Sequence, residues 1–133
     1  MNVPIIENIS SKRQQEIVDQ YLLESEKHLQ ELKKGTAENT LEIKDLAEIM
    51  CIHPTHLSNT IQKVLGKSPC DIYEERLFEI SKELLSDFSF TITQVAHTLT
   101  FDPSNFTKFF KSYSGLTPKK FREQIKTEVN TIL

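Results

Sequence analysis

From residue 41 onward, apolar positions recur at spacings of three and four, and Pro and Gly cut the pattern into short blocks. This is the signature of short amphipathic helices separated by tight turns. Ile92, Val95, Ala96 and Leu99 share one helical face, and Thr91 or Thr93 stands where an N-cap belongs. The segment Thr100-Phe101-Asp102-Pro103 breaks this helix. Asp102 then caps the next one, and Pro103 occupies its first position, where the missing N–H costs nothing. Phe106, Phe109, Phe110 and Tyr113 keep helical spacing up to Gly115, a left-handed stop, and Pro118 opens a last helix carrying Phe121 and Ile125.

The chain contains this plan twice. A shift of 49 residues pairs Ile43 with Ile92, Leu46 with Val95 and Ala47 with Ala96. It continues with Pro54 and Pro103, Leu57 and Phe106, Ile61 and Phe110, Gly66 and Gly115, Pro69 and Pro118, and Ile72 and Phe121. Apolar positions meet apolar positions, and glycines and prolines coincide, so the chain reads as two copies of one unit. In the first copy a helix over about Ile43 to Met50 meets a break at Cys51-Ile52-His53-Pro54, and a second helix runs to Leu65. Two short helices, a tight turn and a small residue at the crossing (Ala47, Ala96) make a helix-turn-helix, whose second helix is the one that enters the DNA major groove.

Between the copies, Ile72 to Asp87 reads as one helix with Leu77, Ile80, Leu84 and Leu85 inward and Glu74, Glu75, Glu79 and Glu83 in solvent. Sixteen residues span roughly 24 Å, which suits a rod holding two recognition helices about one DNA turn, ~34 Å, apart. Ahead of residue 41, Ser10 or Ser11 is expected to cap a helix from about Lys12 to Lys34, with Val18, Leu22, Ser25, Leu29 and Leu32 as its stripe. Packing of its C-terminal part on the first unit is the main expectation, and a coiled-coil or homodimer contact the sharper one. Gly35 to Thr40 reads as a flexible join. The resulting division is 1–40 for the N-terminal helix and linker and 41–133 for the double unit. Within the latter the first unit is 41–70, the linker helix 71–87 and the second unit 91–126.

Composition narrows the class. With 38% hydrophobic and 26% charged residues, 3 Gly and 5 Pro, the chain is a helix-rich globular domain. It has no apolar run of the ~20 residues a membrane helix needs and no signal-peptide pattern, so a cytoplasmic location is expected. The net charge of −3 argues against nucleic acid on average, but the charges are unevenly spread. Between Thr100 and Arg122 five cations face Asp102 alone, whereas six acids face Arg76 and Lys82 between Asp71 and Asp87. Cys51 and Cys70 fit no metal or redox spacing and are expected to be reduced, partly buried thiols. His53, His56 and His97 lack ligand spacing, so no metal and no cofactor is expected.

The ordered set Thr91-Ile92-Thr93-Gln94-Val95-Ala96, Phe101, Phe106, Phe109-Phe110-Lys111, Gly115, Thr117-Pro118 and Phe121-Arg122 resembles the C-terminal signature of the AraC/XylS family of bacterial regulators. The first copy adds Leu46-Ala47, His56-Leu57-Ser58, Gly66-Lys67-Ser68-Pro69, Arg76-Leu77 and Leu84-Leu85. The resemblance spans about Leu41 to Arg122. It implies an all-α, homeodomain-like fold of seven helices with two helix-turn-helix subdomains joined by a long linker helix. The implied function is sequence-specific binding of double-stranded DNA by a transcription activator, with two recognition helices in successive major-groove segments and RNA polymerase as a further partner. Family members commonly carry a sensor or dimerisation domain on the N-terminal side. The roughly 40 residues found there imply either a piece of a longer regulator or a small member. Where the family often has Gly at the two turns, this chain has Cys51 and Thr100, which implies turns of a different shape. Ile80 stands where the family usually has Ala in the linker helix, implying altered packing.

By matching position, the resemblance offers Thr55, Ser58 and Asn59 from the first recognition helix and Ser104, Asn105, Thr107 and Lys108 from the second to base edges. Asn suits adenine, Lys suits guanine, and Ser or Thr serves either role. Lys63, Lys67, Lys111, Lys119, Lys120 and Arg122 are the candidates for phosphate contacts, which set register and salt dependence. The phenylalanines have the spacing of a core stripe and not of a stacking platform for single strands. The alternative reading is a protein-interaction adaptor that has lost DNA specificity. An enzyme is not expected, because no nucleophile with base, carboxylate pair or phosphate loop is present.

Overall fold

The computed structural model describes the backbone of residues 3–37 and 41–132 and the side chains of residues 11–37 and 41–129. Among the described residues the secondary structure is seven α-helices and no strand: α1 (Val3–Lys33), α2 (Ile43–Ile49), α3 (Pro54–Leu65), α4 (Pro69–Leu85), α5 (Ile92–Thr98), α6 (Pro103–Ser114) and α7 (Pro118–Ile132). They form two compact units, one of Met1–Leu29 with Leu41–Tyr73 and one of Gln30–Thr40 with Glu74–Leu133. Both α1 and α4 therefore contribute residues to each unit.

In the first unit, Ile17, Val18 and Tyr21 of α1 close a core with Leu46, Ala47, Met50, Leu57 and Ile61, all nearly inaccessible to solvent. Burial of such side chains stabilises by about 1.5–3 kcal/mol each, so α1 is part of the unit's core and not an appendage. The Tyr21 hydroxyl donates to the Pro69 carbonyl at 3.2 Å, which ties α1 to the start of α4. Burial pushes the Tyr21 phenol up to about 12. The Tyr73 phenol is likewise raised to about 12 by burial. His28, 6% exposed, accepts the backbone N–H of Leu41 through Nε2 at 3.2 Å and so fixes the chain's entry into this unit.

α1 departs from the expected helix in two ways. It begins at Val3, so Ser10 and Ser11 lie inside it and do not cap it. Its buried face is Ile17, Val18, Tyr21, Ser25, His28, Leu29 and Leu32, while Leu22 is 39% exposed and off that face. The expected stripe included Leu22 and left out Ile17, Tyr21 and the polar His28, all of them buried. Part of the expected join, residues 38–40, lies outside the described residues.

The second unit is built around aromatic rings. Phe106 and Phe110 are fully buried. Phe110 meets Phe78 of α4 at 5.1 Å and Phe121 of α7 edge-on at 5.1 Å, and Phe101 meets Phe106 and Phe109. Such pairs add about 0.5–1.5 kcal/mol beyond their area. α4 supplies Leu77, Ile80, Leu84 and Leu85, all buried as the pattern predicts. Ile80 is completely buried, so the extra bulk over alanine is absorbed in the core. Glu75, Glu79 and Glu83 are exposed, but Glu74 is half-buried and accepts the Tyr113 hydroxyl at 2.9 Å. Lys33 of α1 donates to Glu83 at 2.6 Å. No helix among the described residues is long and apolar enough to cross a membrane.

Candidate nucleic-acid interface

Each helix-turn-helix is shaped by the same local chemistry. The first helix starts on a capping interaction: the Asp45 carboxylate accepts the Glu42 N–H at 2.9 Å, and in α5 the Gln94 amide oxygen accepts the Thr91 N–H at 2.8 Å. Thr91 completes a reciprocal box by accepting the Gln94 N–H at 3.0 Å. The turn is a Schellman motif in both copies. In the first, Cys51 N–H bonds Glu48 O at 3.1 Å and Ile52 N–H bonds Ala47 O at 2.9 Å. In the second, Thr100 N–H bonds His97 O at 3.0 Å and Phe101 N–H bonds Ala96 O at 2.8 Å.

The expectation of differently shaped turns is overturned here. Cys51 has φ 56° and Thr100 φ 64°, the left-handed conformation a glycine would adopt at no cost. The hydrogen bonds of the motif demand that conformation, and the chain meets the demand with residues that pay about 1–2 kcal/mol for it. α3 and α6 end on residues suited to the same conformation, Gly66 (φ 72°) and Gly115 (φ 78°).

The N-caps of α3 and α6 are His53 and Asp102. His53 Nδ1 accepts the Thr55 N–H at 3.2 Å. Asp102 Oδ2 accepts both the N–H of Ser104, at 3.2 Å, and its hydroxyl, at 2.5 Å. The Ser104 hydroxyl bond is the main cause of a carboxyl held below its usual range.

Beyond the caps, the inward faces are Leu57, Thr60 and Ile61 in α3 and Phe106 and Phe110 in α6. The opposite faces carry the candidates. Thr55, Ser58, Asn59 and Gln62 stand at i, i+3, i+4 and i+7 of α3, and Ser104, Thr107, Lys108 and Lys111 hold the same spacing on α6. That spacing makes one polar stripe on each helix. Thr55, Asn59, Gln62, Ser104, Lys108 and Lys111 are exposed, whereas Ser58 and Thr107 are half-buried. The Thr107 hydroxyl donates to Pro103 O at 3.0 Å, so it keeps only acceptor capacity for a ligand. Asn105 is exposed but sits one residue round from Ser104, about 100° off the stripe, and His56 is its counterpart in α3. The sequence pattern named Asp102 as the cap of α6, whereas Gln62 was not among the site candidates and His53 was not read as a cap. The i+7 spacing could have found Gln62, whereas the caps' bonding partners needed coordinates.

The cations are distributed unequally. Lys63 and Lys67 are exposed in the first unit, and Lys108, Lys111, Lys119 and Lys120 in the second. Lys119 and Lys120 lie in the first turn of α7, where Thr117 accepts the Lys120 N–H at 3.2 Å. Their counterparts one repeat earlier are Cys70 and Asp71. Arg122, expected at a phosphate, faces the protein. Its Nε donates to Leu85 O at 3.0 Å, a terminal nitrogen approaches Asp87 O at 3.4 Å, and the guanidinium lies 5.6 Å from the Phe88 ring. Burial lowers its pKa. It satisfies the Leu85 carbonyl at the end of α4, a demand that a sequence pattern does not display.

Cys51 and Cys70 form no disulfide and both are exposed, not partly buried as expected. Among the described residues no group of three or more His, Cys, Asp and Glu could hold a metal ion.

Residues 46–124 match the family described as Helix-turn-helix domain. The chain is 35% identical over 86 residues to YobQ of Bacillus subtilis, an uncharacterized HTH-type transcriptional regulator, covering 64% of this chain and 36% of that protein. It is 29% identical over 97 residues to the arabinose operon regulatory protein of Escherichia coli K12, covering 72% of this chain and 33% of that one. It thus spans about a third of the length of these curated relatives. Among solved structures, the C-terminal domain of AraT, a response regulator from Geobacillus stearothermophilus, superposes with a TM-score of 0.63 at 25% identity, covering 75% of this chain and 84% of that one. A DNA-binding transcriptional dual regulator from Escherichia coli K-12 shares the fold with a TM-score of 0.62 at 20% identity, covering 67% of this chain and 80% of that one. With its two helix-turn-helix units and this match over residues 46–124, the chain belongs to the AraC/XylS family of helix-turn-helix transcription regulators.

Proposed function

We propose that this chain binds double-stranded DNA in a sequence-specific manner, with α3 and α6 as recognition helices in successive major-groove segments. The observation that carries the reading is the pair of polar stripes, each fixed by a capped N-terminus and a buried opposite face, on the second helices of two helix-turn-helix units. Thr55, Ser58, Asn59 and Gln62 face bases from α3, and Ser104, Thr107, Lys108 and Lys111 from α6, with Asn105 at the flank. Lys63, Lys67, Lys119 and Lys120 take phosphates, and Arg122 acts as a structural residue. Each unit thus brings two lysines to phosphates, and Lys108 and Lys111 on the α6 stripe give the second unit the greater positive charge. With about four to six phosphate contacts, the slope of log K against log salt is about −4 to −5.

The wider role proposed is that of a cytoplasmic transcription regulator acting on RNA polymerase, with any sensor domain or homodimer contact on the side of α1. Selection from a library of short duplexes, repeated at two salt concentrations and with Lys108→Ala, tests the core of the reading. Enrichment of one site, weakened by salt and altered in its base preference by the substitution, is expected. Binding without sequence preference at every salt would overturn it and favour a protein-interaction module.

A further inference from the structure

The two units present unlike hydrogen-bonding groups at equivalent places, and the difference is sharpest at their caps. One Asp102 oxygen accepts both the N–H and the hydroxyl of Ser104. The single hydroxyl hydrogen of Ser104 is thereby spent within the protein, and what remains outward on Ser104 is lone pairs. Asp102 is exposed, and its other oxygen offers only lone pairs as well. A group approaching this corner of α6 must bring hydrogens. The exocyclic amino groups of cytosine (N4) and adenine (N6) do so in the major groove, whereas the keto oxygens of guanine and thymine and the phosphate oxygens do not. At the same point of α3, His53 uses Nδ1 as an acceptor for Thr55 N–H, which places the proton of the neutral ring on Nε2. That exposed nitrogen is a donor. It suits a keto oxygen, a purine N7 or a phosphate, and it opposes an amino group.

The contrast continues along the stripes. Asn59 and Gln62 can donate and accept, while Lys108 and Lys111, which stand at the equivalent positions, only donate. Four lysine-lined phosphate and base contacts pull the second unit toward DNA, so the one carboxylate at its leading edge is tolerated only where the bases supply hydrogens.

Resting on the DNA-binding reading, we propose that the cap residues Asp102 and His53 are specificity-determining residues at the tips of α6 and α3. Asp102 selects cytosine or adenine at the base facing the tip of α6, and His53 disfavours the same amino-bearing edge at the tip of α3.

The test uses the full chain and a randomised duplex library with wild type, Asp102→Asn, Asp102→Ser and Lys108→Ala. Asn and Ser cap helices about as well as Asp, so the start of α6 survives, and far-UV circular dichroism with a thermal midpoint verifies this. Both replacements add a donor where only acceptors stood. Lys108→Ala marks which part of the site the second unit reads. Within that part, wild type is expected to show one position restricted to cytosine or adenine, and both Asp102 variants to relax it about fivefold or more, the size of a typical single-base discrimination. Preferences elsewhere in the site stay as they were. Uniformly tighter binding of every duplex, with preferences unchanged, would overturn the proposal and make Asp102 a charge that merely opposes phosphates. A wild type that enriches no site at all would instead remove the DNA-binding reading beneath it.

Discussion

Thr100 is the residue at which local geometry and side chain are most at odds. It is β-branched, it sits at φ 64°, and its side chain is exposed. A left-handed L-residue costs about 1–2 kcal/mol, and branching at Cβ places threonine at the upper end. Replacement by glycine removes that cost but returns about 0.5–1 kcal/mol through the greater freedom of glycine in the unfolded chain. The exposed side chain gives up little burial. Thr100→Gly is therefore expected to stabilise by about 0.5–1 kcal/mol, and Cys51→Gly, which relieves an unbranched residue, by about 0.5 kcal/mol. Urea unfolding followed at 222 nm measures this as a higher midpoint with an unchanged slope, alongside a rise of a few degrees in the thermal midpoint. Thr100→Ala is the control, because it keeps a Cβ and should recover only part of the gain. A glycine variant less stable than wild type, with alanine no worse, would refute the reasoning. The turn would then owe its shape to the threonine and not to the Schellman hydrogen bonds.

Other expectations follow from the same coordinates. Ala96→Leu places a large side chain at a fully buried helix crossing and should cost about 1–3 kcal/mol, read in the same urea experiment. Arg122→Ala should destabilise by about 1–2 kcal/mol, with Arg122→Lys recovering little, and should leave the salt dependence of DNA binding unchanged. Lys120→Ala should instead flatten that slope by about one and leave stability near wild type. At alkaline pH, Tyr21 and Tyr73 are protonated in the fold up to about 12, above their ordinary value of 10. Their contribution to stability is complete below pH 10 and lost as pH rises toward 12. Tyrosinate absorbance from these two should therefore appear together with loss of helix, and a titration of all tyrosines near pH 10 with the helices intact would contradict it. At the acidic end, hydrogen bonds from Ser104 and Ser89 hold the Asp102 and Asp87 carboxyls low. Both contribute stability above pH 4 that is lost as pH falls through their folded values, and Asp102→Asn should flatten the acid limb of a stability–pH curve.

Most of the helices, and the repeat that organises them, were legible along the chain because they depend on local chemistry. Pro54 and Pro103 can only begin a helix, Gly66 and Gly115 end one cheaply, and apolar spacing names the faces that Leu57, Ile61, Phe106 and Phe110 bury. The polar stripes on α3 and α6 were legible for the same reason, since they are what remains when the buried face is removed. Long-range partnerships were not legible there and emerge only from the folded chain. α1 was expected to pack on the first unit through its C-terminal part, yet it enters that core through Ile17, Val18 and Tyr21, and the expected stripe had Leu22 where Ile17, Tyr21 and His28 are buried. Arg122 looks like one more cation in a basic run, yet the Leu85 carbonyl at the end of α4, 37 residues away, and the Asp87 carbonyl just beyond it claim its guanidinium. Cys51 and Thr100 look like departures that should alter the turns, yet the hydrogen bonds closing each turn impose the left-handed geometry regardless of the residue. A side chain's spacing tells which face it is on, but its partner and its protonation depend on atoms brought together by the rest of the chain.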